Sequence, residues 1–407
     1  MKQPRQIAAV FLTLLAGVLF AVPVWGPVAE AQAARPAIKG LGSQDALLVV
    51  APGGRTIIAH NPDNPMVPAS TLKVLTSLAA LHYLGAGYRF PTDFLLDDRG
   101  NLGIRGFGDP LMVSEVIADI ARQLSGRLPT EISTIRLDDS YFDGPLSIPG
   151  VSASTNPYDA PVGALCANFN TVFFTHVNGR PQSAEDQTPL LPMIMPAIQA
   201  SGLRQGRIVL SNHHEAPLYA GHLFRFFLVK EGLKVRAVRM APHGKADGRL
   251  IFRHASPYDL PQVIQRLLEF SNNFTANQLL FAMGAKCYGP PATLDKGVRA
   301  LKAYAEAVVG IPKGVFVEGS GISRRNRLSA MDMDAVLAQF APHAHLMSHK
   351  GREYYKTGTL KGIRTRVGYI ETGAGGHYRF VLFRNHAGKA TGPVMQQLHR
   401  FLKDNPE

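Results

Sequence analysis

The sequence predicts an α/β (α+β) fold, in which an antiparallel sheet is flanked by helices and carries a large inserted mixed domain. Strand-like segments lie near both ends of the chain, at 46–50 and 56–59 and again at 364–370 and 378–383. The middle of the chain, from 93 to 253, is richer in glycine and proline and mixes short strands with turns. Strands from both ends with helices between them are typical of one layered domain that accepts an insertion.

The chain opens with a predicted hairpin and a predicted helix. The first two strand segments flank Pro52-Gly-Gly54, a combination that is typical of a tight turn. Residues 68–81 then have the composition of a helix, which Gly85 ends. We expect these two elements to begin the main domain.

Further helices follow the insertion and lead into the C-terminal strands. The apolar pattern predicts helices at 260–270, 275–284, 293–309 and, at the end of the chain, 394–403. The last two strand segments flank a glycine-rich turn at 373–376. We therefore expect a main domain made of residues 35–92 and 254–407, and an inserted domain made of residues 93–253.

The first 34 residues differ from the rest of the chain. Lys2 and Arg5 precede an almost wholly apolar run at 7–22, and two small-residue sites of the form Ala-x-Ala follow within 29–33. This order is typical of a secretory signal peptide, so residues 1–34 are predicted to direct export to the periplasm. A retained membrane anchor is the alternative, because the run is near the short end of a spanning helix. No later stretch has that length and apolarity, so we expect peripheral membrane association at most.

The charge balance narrows the class of partner. Forty-three Lys and Arg against 30 Asp and Glu give a net charge of +13. A basic protein binds nucleic acid, anionic lipid or acidic polymers. Export argues against nucleic acid, and the sequence has no helix-turn-helix, zinc-finger or aromatic RNA-binding signature. An acidic cell-wall polymer therefore fits the charge, as does a generally basic surface without a specific partner.

Cysteines and histidines give no evidence of a metal or cofactor. Cys166 and Cys287 either pair in an oxidising compartment or remain two free thiols. The histidine groups at 213–214 and 343–349 lack zinc-ligand spacing. We therefore predict no metal and no cofactor.

The first candidate site is Ser70-Thr-Leu-Lys73 in the predicted helix. Residues three apart share one face of a helix, so the hydroxyl of Ser70 and the amine of Lys73 are able to meet. Serine attacks poorly unless a base removes its proton, and a lysine in a partly desolvated pocket is such a base. A helix start that carries an exposed lysine is the alternative interpretation.

The second candidate is Lys356-Thr-Gly-Thr359, which precedes a predicted strand. Lys356 offers a cation for a substrate carboxylate, and the hydroxyls of Thr357 and Thr359 offer hydrogen bonds to it. Gly358 would let the substrate backbone approach closely. A plain turn between strands is the alternative.

A Ser-x-Asn segment occurs twice between these two motifs. Ser154-Thr-Asn156 lies in a proline-rich loop, where both residue types are ordinary turn formers. Ser271-Asn-Asn273 joins two predicted helices and lies 85 residues before Lys356. The order of the motifs and the helical context favour Ser271 and Asn273, rather than Ser154 and Asn156, as the catalytic segment. A helix cap is the alternative role for this segment, and it does not exclude catalysis.

The three motifs in this order resemble those of penicillin-binding proteins and class A β-lactamases. The chain is most similar in pattern to low-molecular-mass class C penicillin-binding proteins, which are D-alanyl-D-alanine carboxypeptidases and often endopeptidases. The resemblance covers about residues 40–385. Further segments that carry it are Gly108-Asp-Pro110, 135–142, 160–166 and 317–326. The separation of 201 residues between Ser70 and Ser271 is the distinctive feature, because β-lactamases have nothing so long there.

The resemblance implies a penicillin-binding, serine β-lactamase-like transpeptidase fold and a role for each motif residue. Ser70 would be the acylated nucleophile and Lys73 its base. Ser271 and Lys356 would relay a proton to the leaving D-Ala, while Asn273 would hold the substrate amide. Peptidoglycan stem peptides would be the substrates, β-lactam antibiotics the covalent inhibitors, and no cofactor would be needed.

The resemblance also implies an oxyanion hole and further substrate contacts. The N–H groups of Ser70 and Thr359 would bind the oxyanion. Residues beside the substrate would be Thr357 and Thr359 at its carboxylate, and Asp138, Phe142 and Arg324 around the stem peptide.

Two departures and two rival functions belong to this interpretation. Asn272 stands where aspartate is usual, and Lys361 stands where a glutamine is frequent, which affects the preferred stem peptide. A serine β-lactamase shares the nucleophile but needs an additional acidic residue for fast deacylation, which the sequence does not reveal. A catalytically silent wall-binding homologue would have lost one of the motif residues, and all of them are present.

Overall fold

The protein is described here by a computed structural model that covers residues 38–151, 160–210, 214–373, 375–388 and 390–405. The predicted signal peptide and the Ser154-Thr-Asn156 segment lie outside these residues. The strands are β1 (Asp45–Val50), β2 (Thr56–His60), β3 (Pro91–Leu96), β4 (Leu102–Gly106), β5 (Glu131–Asp138), β6 (Thr171–Val177), β7 (Arg180–Ser183), β8 (Gln205–Val209), β9 (Lys234–Met240), β10 (Arg249–Ala255), β11 (Ser348–Lys350), β12 (Glu353–Leu360), β13 (Ile363–Glu371) and β14 (His377–Arg384). The helices are α1 (Leu72–Leu84), α2 (Ser114–Ser125), α3 (Met195–Ser201), α4 (Glu215–Lys230), α5 (Leu260–Phe270), α6 (Asn273–Tyr288), α7 (Leu294–Tyr304), α8 (Ala330–Phe340) and α9 (Gly392–Asp404).

Both ends of the chain contribute to one antiparallel sheet, as predicted. Its strand order is β11-β12-β13-β14-β1-β2. The first strand pairs with the last, in a register that sets Asp45 opposite Arg384. These two side chains form an almost completely buried ion pair with a nitrogen–oxygen distance of 3.0 Å. Because both charges are almost completely buried, loss of Asp45 would leave the Arg384 guanidinium buried without its carboxylate.

A layer of helices covers one face of this sheet. Helix α1 is buried along nearly its whole length, from Leu72 to Ala80, and α6 is buried from Asn273 to Ala285. Burial on all sides places both helices inside the protein rather than on its surface. Helices α5, α7 and α8 pack around this pair and complete one continuous core. Both central helices therefore carry their polar residues into the interior, where such residues need partners.

The middle of the chain forms two further sheets. A mixed five-stranded sheet has the order β10-β3-β4-β5-β9, and a three-stranded sheet has the order β7-β6-β8. Strands β4, β5 and β9 run parallel, and β3 and β10 join the sheet in antiparallel fashion. In chain order, the five-stranded sheet begins with β3 at Pro91 and ends with β10 at Ala255, two residues beyond each of the predicted limits of 93 and 253. That this part is a separate domain stays a prediction.

The structure confirms the predicted hairpin, the helices and the C-terminal strands, with differences at their ends. The segment 68–81 starts as a short 3₁₀ turn at Ala69–Thr71 and becomes α-helical at Leu72. The predicted helix at 293–309 leaves the α conformation after Tyr304 and ends as one π turn. Cys166 and Cys287 are both free thiols. Within the described residues, no helix has the length and apolarity of a membrane span.

Candidate active site

Ser70 lies in the short turn that leads into α1, and the sheet holds this turn in place. Thr365 on β13 donates its hydroxyl hydrogen bond to the carbonyl of Pro68, at 2.9 Å. Ala69, directly before the serine, has a φ of +49°, in the left-handed region that is unfavourable for residues with a Cβ. The surrounding contacts therefore fix a strained backbone that presents Ser70 at the start of a buried helix.

Lys73 meets Ser70 as the spacing predicted. Its side chain is fully buried, and Nζ lies 2.9 Å from Ser70 Oγ. Nζ also donates to Asn273 Oδ1 and to the carbonyl oxygen of Ser320, at 2.7 Å each. The structure thus brings together residues from α1, from α6 and from the loop before α8.

Burial and a neighbouring cation favour the neutral form of the Lys73 amine. Burial shifts the pKa of Lys73 well below its usual value, the nearby charge of Lys356 lowers it further, and Glu318 opposes the shift. The carbonyl oxygens of Asn273 and Ser320 only accept hydrogen bonds. A neutral amine would donate its two N–H groups to them, and its lone pair would then face the Ser70 hydroxyl. This is the arrangement of a base beside its nucleophile.

A second serine–lysine pair lies beside the first. Lys356 Nζ donates to Ser271 Oγ at 2.8 Å and to the carbonyl of Thr357 at 3.0 Å. Ser271 has a φ of +54° and ends α5 directly before α6 begins. Lys356 is only 3% exposed, and this burial lowers its pKa to about 8. The pair therefore combines a hydroxyl with an ammonium that loses its proton close to neutral pH.

Asn272, the residue that departs from the usual aspartate, caps helix α6. Its side chain accepts a hydrogen bond from the backbone N–H of Thr275 at 2.9 Å. Asparagine and aspartate are equally good at this position of a helix. The substitution therefore preserves the local structure that holds Ser271 and Asn273.

Strand β12 presents Thr357 and Thr359 to solvent, but Gly358 faces the protein. A Cβ at position 358 would lie 2.3 Å from Thr365 Oγ1 and 2.8 Å from the backbone nitrogen of Ser70. These contacts give a structural reason for a glycine here, and its close approach to the substrate stays a prediction. The missing side chain lets β12 pack directly against the turn that carries Ser70.

Glu318 is a buried carboxylate whose role none of the three motifs predicts. It has no exposed surface, and it accepts hydrogen bonds from Ser320 N and Oγ at 2.6 Å each and from Gly321 N at 2.7 Å. Asn326 Nδ2 donates to it at 2.6 Å. These bonds shape the loop whose Ser320 carbonyl contacts Lys73. Glutamate is rarely buried, so its residue type does not predict this position. The glycine-rich segment around Glu318 is the one feature of the sequence that points to a structured loop here.

Three residues predicted to contact the substrate have different surroundings. Asp138 is fully buried and accepts hydrogen bonds from Arg105, from Ser140 and from the N–H of Ala246. These hydrogen bonds give Asp138 a structural role inside the protein, and its substrate contact stays a prediction.

Phe142 and Arg324 differ from Asp138. Phe142 is 4% exposed, and its ring packs 5.2 Å from the ring of Phe281. Its substrate contact stays a prediction. Arg324 is exposed and donates to the carbonyl of Lys361, just past the end of β12. The structure therefore brings Arg324 to the end of the strand that carries Thr359.

The fold and this site together define a class of protein. The antiparallel sheet and its helices have the penicillin-binding fold. The site combines a serine beside a buried lysine, a second serine–lysine pair and a sheet strand that closes it. Together they define a peptidase, which is a hydrolase. Among the described residues no group of side chains is arranged to hold a metal ion. The chain belongs to the D-Ala-D-Ala carboxypeptidase 3 (S13) family, which matches residues 28–213 and 199–351.

Similar proteins agree with this assignment. D-alanyl-D-alanine carboxypeptidase DacB of Haemophilus influenzae is 23% identical over 416 residues, which cover 84% of this chain and 85% of the relative. The crystal structure of penicillin binding protein 4 (dacB) from Haemophilus influenzae has a TM-score of 0.72 at 20% identity, covering 89% of this chain and 97% of that one. Its complex with a β-lactam has a TM-score of 0.67 at 20% identity, covering 90% and 96%.

A second kind of peptidase shares the fold. Bd3459, a predatory peptidoglycan endopeptidase from Bdellovibrio bacteriovorus, has a TM-score of 0.55 at 18% identity, covering 88% of this chain and 91% of that one. At these sequence identities the structural matches show the fold and not the activity. The residues of the site itself carry the argument about chemistry.

Proposed function

We propose that the protein is a serine-type D-Ala-D-Ala carboxypeptidase, with additional endopeptidase activity, that acts on peptidoglycan stem peptides through an acyl-enzyme on Ser70. One observation carries the proposal: the fully buried Lys73 amine lies 2.9 Å from Ser70 Oγ while two carbonyl oxygens occupy its other contacts. Such an amine is held in position to take the serine proton.

In the acylation step, Ser70 Oγ attacks the carbonyl of the penultimate D-Ala while its proton passes to Lys73. The N–H groups of Ser70 and Thr359 receive the negative charge that develops on the carbonyl oxygen. Support for this comes from Gly358, where the lack of a side chain lets β12 approach the Ser70 nitrogen. Asn273 aligns the substrate amide.

Collapse of the tetrahedral intermediate breaks the C–N bond and releases D-Ala. The proton held by Lys73 passes through Ser271, which is hydrogen-bonded to Lys356, to the leaving nitrogen. The ammonium of Lys356 and the exposed hydroxyls of Thr357 and Thr359 bind the terminal carboxylate. Water then attacks the ester, Lys73 takes its proton, and Ser70 regains a proton as the C–O bond breaks.

The proposal extends to inhibitors, location and further contacts. A β-lactam would acylate Ser70 by the same attack, opening its strained ring. We propose that residues 1–34 direct export to the periplasm, where the +13 charge suits an acidic wall polymer. Arg324, at the end of β12, and Phe142 would contact the stem peptide.

Intact-mass spectrometry after incubation with benzylpenicillin tests the nucleophile. We expect the wild-type protein to gain the mass of one penicillin, Ser70→Ala to gain none, and Ser43→Ala, at an exposed position, to behave as wild type. Lys73→Met should acylate about 10²- to 10⁴-fold more slowly, the usual contribution of a general base. Rapid loss of drug without an adduct would contradict the proposal and indicate a β-lactamase. Neither adduct nor drug loss would indicate a silent binding protein.

Release of D-Ala from a synthetic pentapeptide, followed by chromatography, tests the substrate. We expect the wild-type protein to release one D-Ala from each peptide and Ser70→Ala to release none. Acylation by penicillin without D-Ala release from any stem peptide would overturn the substrate assignment while leaving the nucleophile intact.

A further inference from the structure

A cleft of about 590 Å³ lies directly beside the Ser-x-Asn segment and takes no part in the mechanism above. Phe270 and Asn272 line it, and these residues flank Ser271 in the chain. Its opposite wall comes from the middle of the chain and includes Glu115 and Phe169. The volume falls within the roughly 300–1,000 Å³ range of small-molecule sites.

The cleft offers aromatic faces to a ligand. Phe270 is 68% exposed, more than any other large apolar side chain among the described residues. Phe169 and Tyr258 also line the cleft and are half-buried. Phe169 occupies the centre of three consecutive left-handed residues, with a φ of +57° between +49° at Asn168 and +52° at Asn170. Such strain persists where the surrounding structure requires it, and here it places an aromatic ring at the cleft.

The polar groups of the cleft combine donors with an acceptor. Glu115 and Arg266 line it, and within the described part of the chain neither side chain forms an ion pair. The Arg266 guanidinium lies 4.8 Å from the centre of the Tyr258 ring. Asn272 uses its oxygen to cap α6, which leaves its amide N–H groups as further donors. The asparagine at this position thus adds a donor that aspartate would lack.

We propose that this cleft binds the glycan part of peptidoglycan, an N-acetylated amino-sugar disaccharide, while the attached stem peptide occupies the catalytic site. The inference rests on the proposed function. A sugar ring has apolar C–H faces that stack on aromatic rings, and its hydroxyl and amide groups need both donors and acceptors. A purely acidic ligand would not suit the carboxylate of Glu115. The position beside Ser271 allows one polymer to span both sites.

The test compares two substrates that differ only in the sugar. One is a free pentapeptide that ends in D-Ala-D-Ala, and the other is the same peptide on an N-acetylglucosamine–N-acetylmuramic acid disaccharide. We expect the wild-type kcat/KM to be at least about tenfold higher for the glycan-bearing substrate, mainly through KM, because remote contacts add binding energy. Equal kcat/KM values for the two substrates would overturn the proposal.

Two variants locate the effect. Phe270→Ala and Arg266→Gln should each bring the ratio of the two kcat/KM values to within about threefold, with benzylpenicillin acylation at the wild-type rate. Leu250→Ala and Arg400→Gln are matched exposed controls that should keep the wild-type ratio. A wild-type ratio in both cleft variants would place the sugar elsewhere and refute the assignment. Failure of penicillin to acylate Ser70 in the wild type would instead refute the proposed function.

Discussion

Replacement of Glu318 by glutamine tests whether this buried carboxylate organises the active-site loop. Four donors point at its two oxygens at 2.6–2.7 Å: two from Ser320, one from Gly321 and one from Asn326. Glutamine has nearly the same shape, but one of its terminal atoms is an NH₂ group. That group would face donors rather than acceptors, so about half of these hydrogen bonds would be lost.

The expected effect on stability follows from this count. A hydrogen bond to a charged group contributes about 1.5–3 kcal/mol, so the loss of two should lower the free energy of unfolding by about 3–6 kcal/mol. The loop also carries the Ser320 carbonyl that contacts Lys73. Its displacement should slow acylation by benzylpenicillin at least about tenfold, because Lys73 loses a group that orients it.

Urea unfolding and the rate of penicillin acylation measure the two effects separately. Glu269→Gln, at an exposed position, is the matched control and should change the unfolding free energy by less than about 0.5 kcal/mol. Ser320→Ala removes one donor and should cost about 1.5–3 kcal/mol, which keeps the test valid if Glu318→Gln does not fold. Wild-type stability and wild-type acylation in Glu318→Gln would refute the reasoning.

Three further predictions follow from single contacts. Burial lowers the pKa of Lys356 to about 8, so the rate of benzylpenicillin acylation should fall as the pH rises through about 8, where the ammonium loses its proton. Lys356→Arg should remove this fall. A wild-type rate that is flat across that pH range would contradict the role of the ammonium. Gly358→Ala should lower the unfolding free energy by about 1–3 kcal/mol and slow acylation, because its Cβ would lie 2.3 Å from Thr365 Oγ1. Gly126→Ala, at an open position, should change neither quantity. Unchanged acylation in Gly358→Ala would count against the close packing. Asn272→Asp should keep the stability of wild type and Asn272→Ala should lose about 1 kcal/mol in urea unfolding. Wild-type stability in Asn272→Ala would show that the cap is unimportant.

Local signals in the sequence predicted the elements of this fold. The hairpin of β1 and β2 follows from apolar segments around Pro52-Gly-Gly54, and α5 follows from an amphipathic pattern over 260–270. The ends of the elements depend on tertiary contacts as well. Only the strained turn at Ala69–Thr71 shows that α1 begins at Leu72, because that turn depends on contacts with β13.

The sequence also supplied the candidate catalytic residues, because each motif is short and local. The contact of Ser70 with Lys73 follows from helical spacing alone. The contact of Lys73 with Asn273 joins residues 200 positions apart, and that of Lys356 with Ser271 joins residues 85 apart. Motif order made these pairs plausible, and only the packing of α1, α6 and β12 brings their atoms within hydrogen-bonding distance.

Burial was decided by the tertiary structure. The family resemblance implies a substrate contact for Asp138, yet its oxygens are buried and accept hydrogen bonds from Arg105, Ser140 and Ala246. Gly358 carries no sequence signal for its packing role, and Glu318 is marked only by the glycine-rich segment around it. The sequence by itself determined which chemical groups are present and their local periodicity. Which of them lose water, and which partner replaces it, depends on segments far apart in the chain, so only the folded protein determines the charge and orientation of the site.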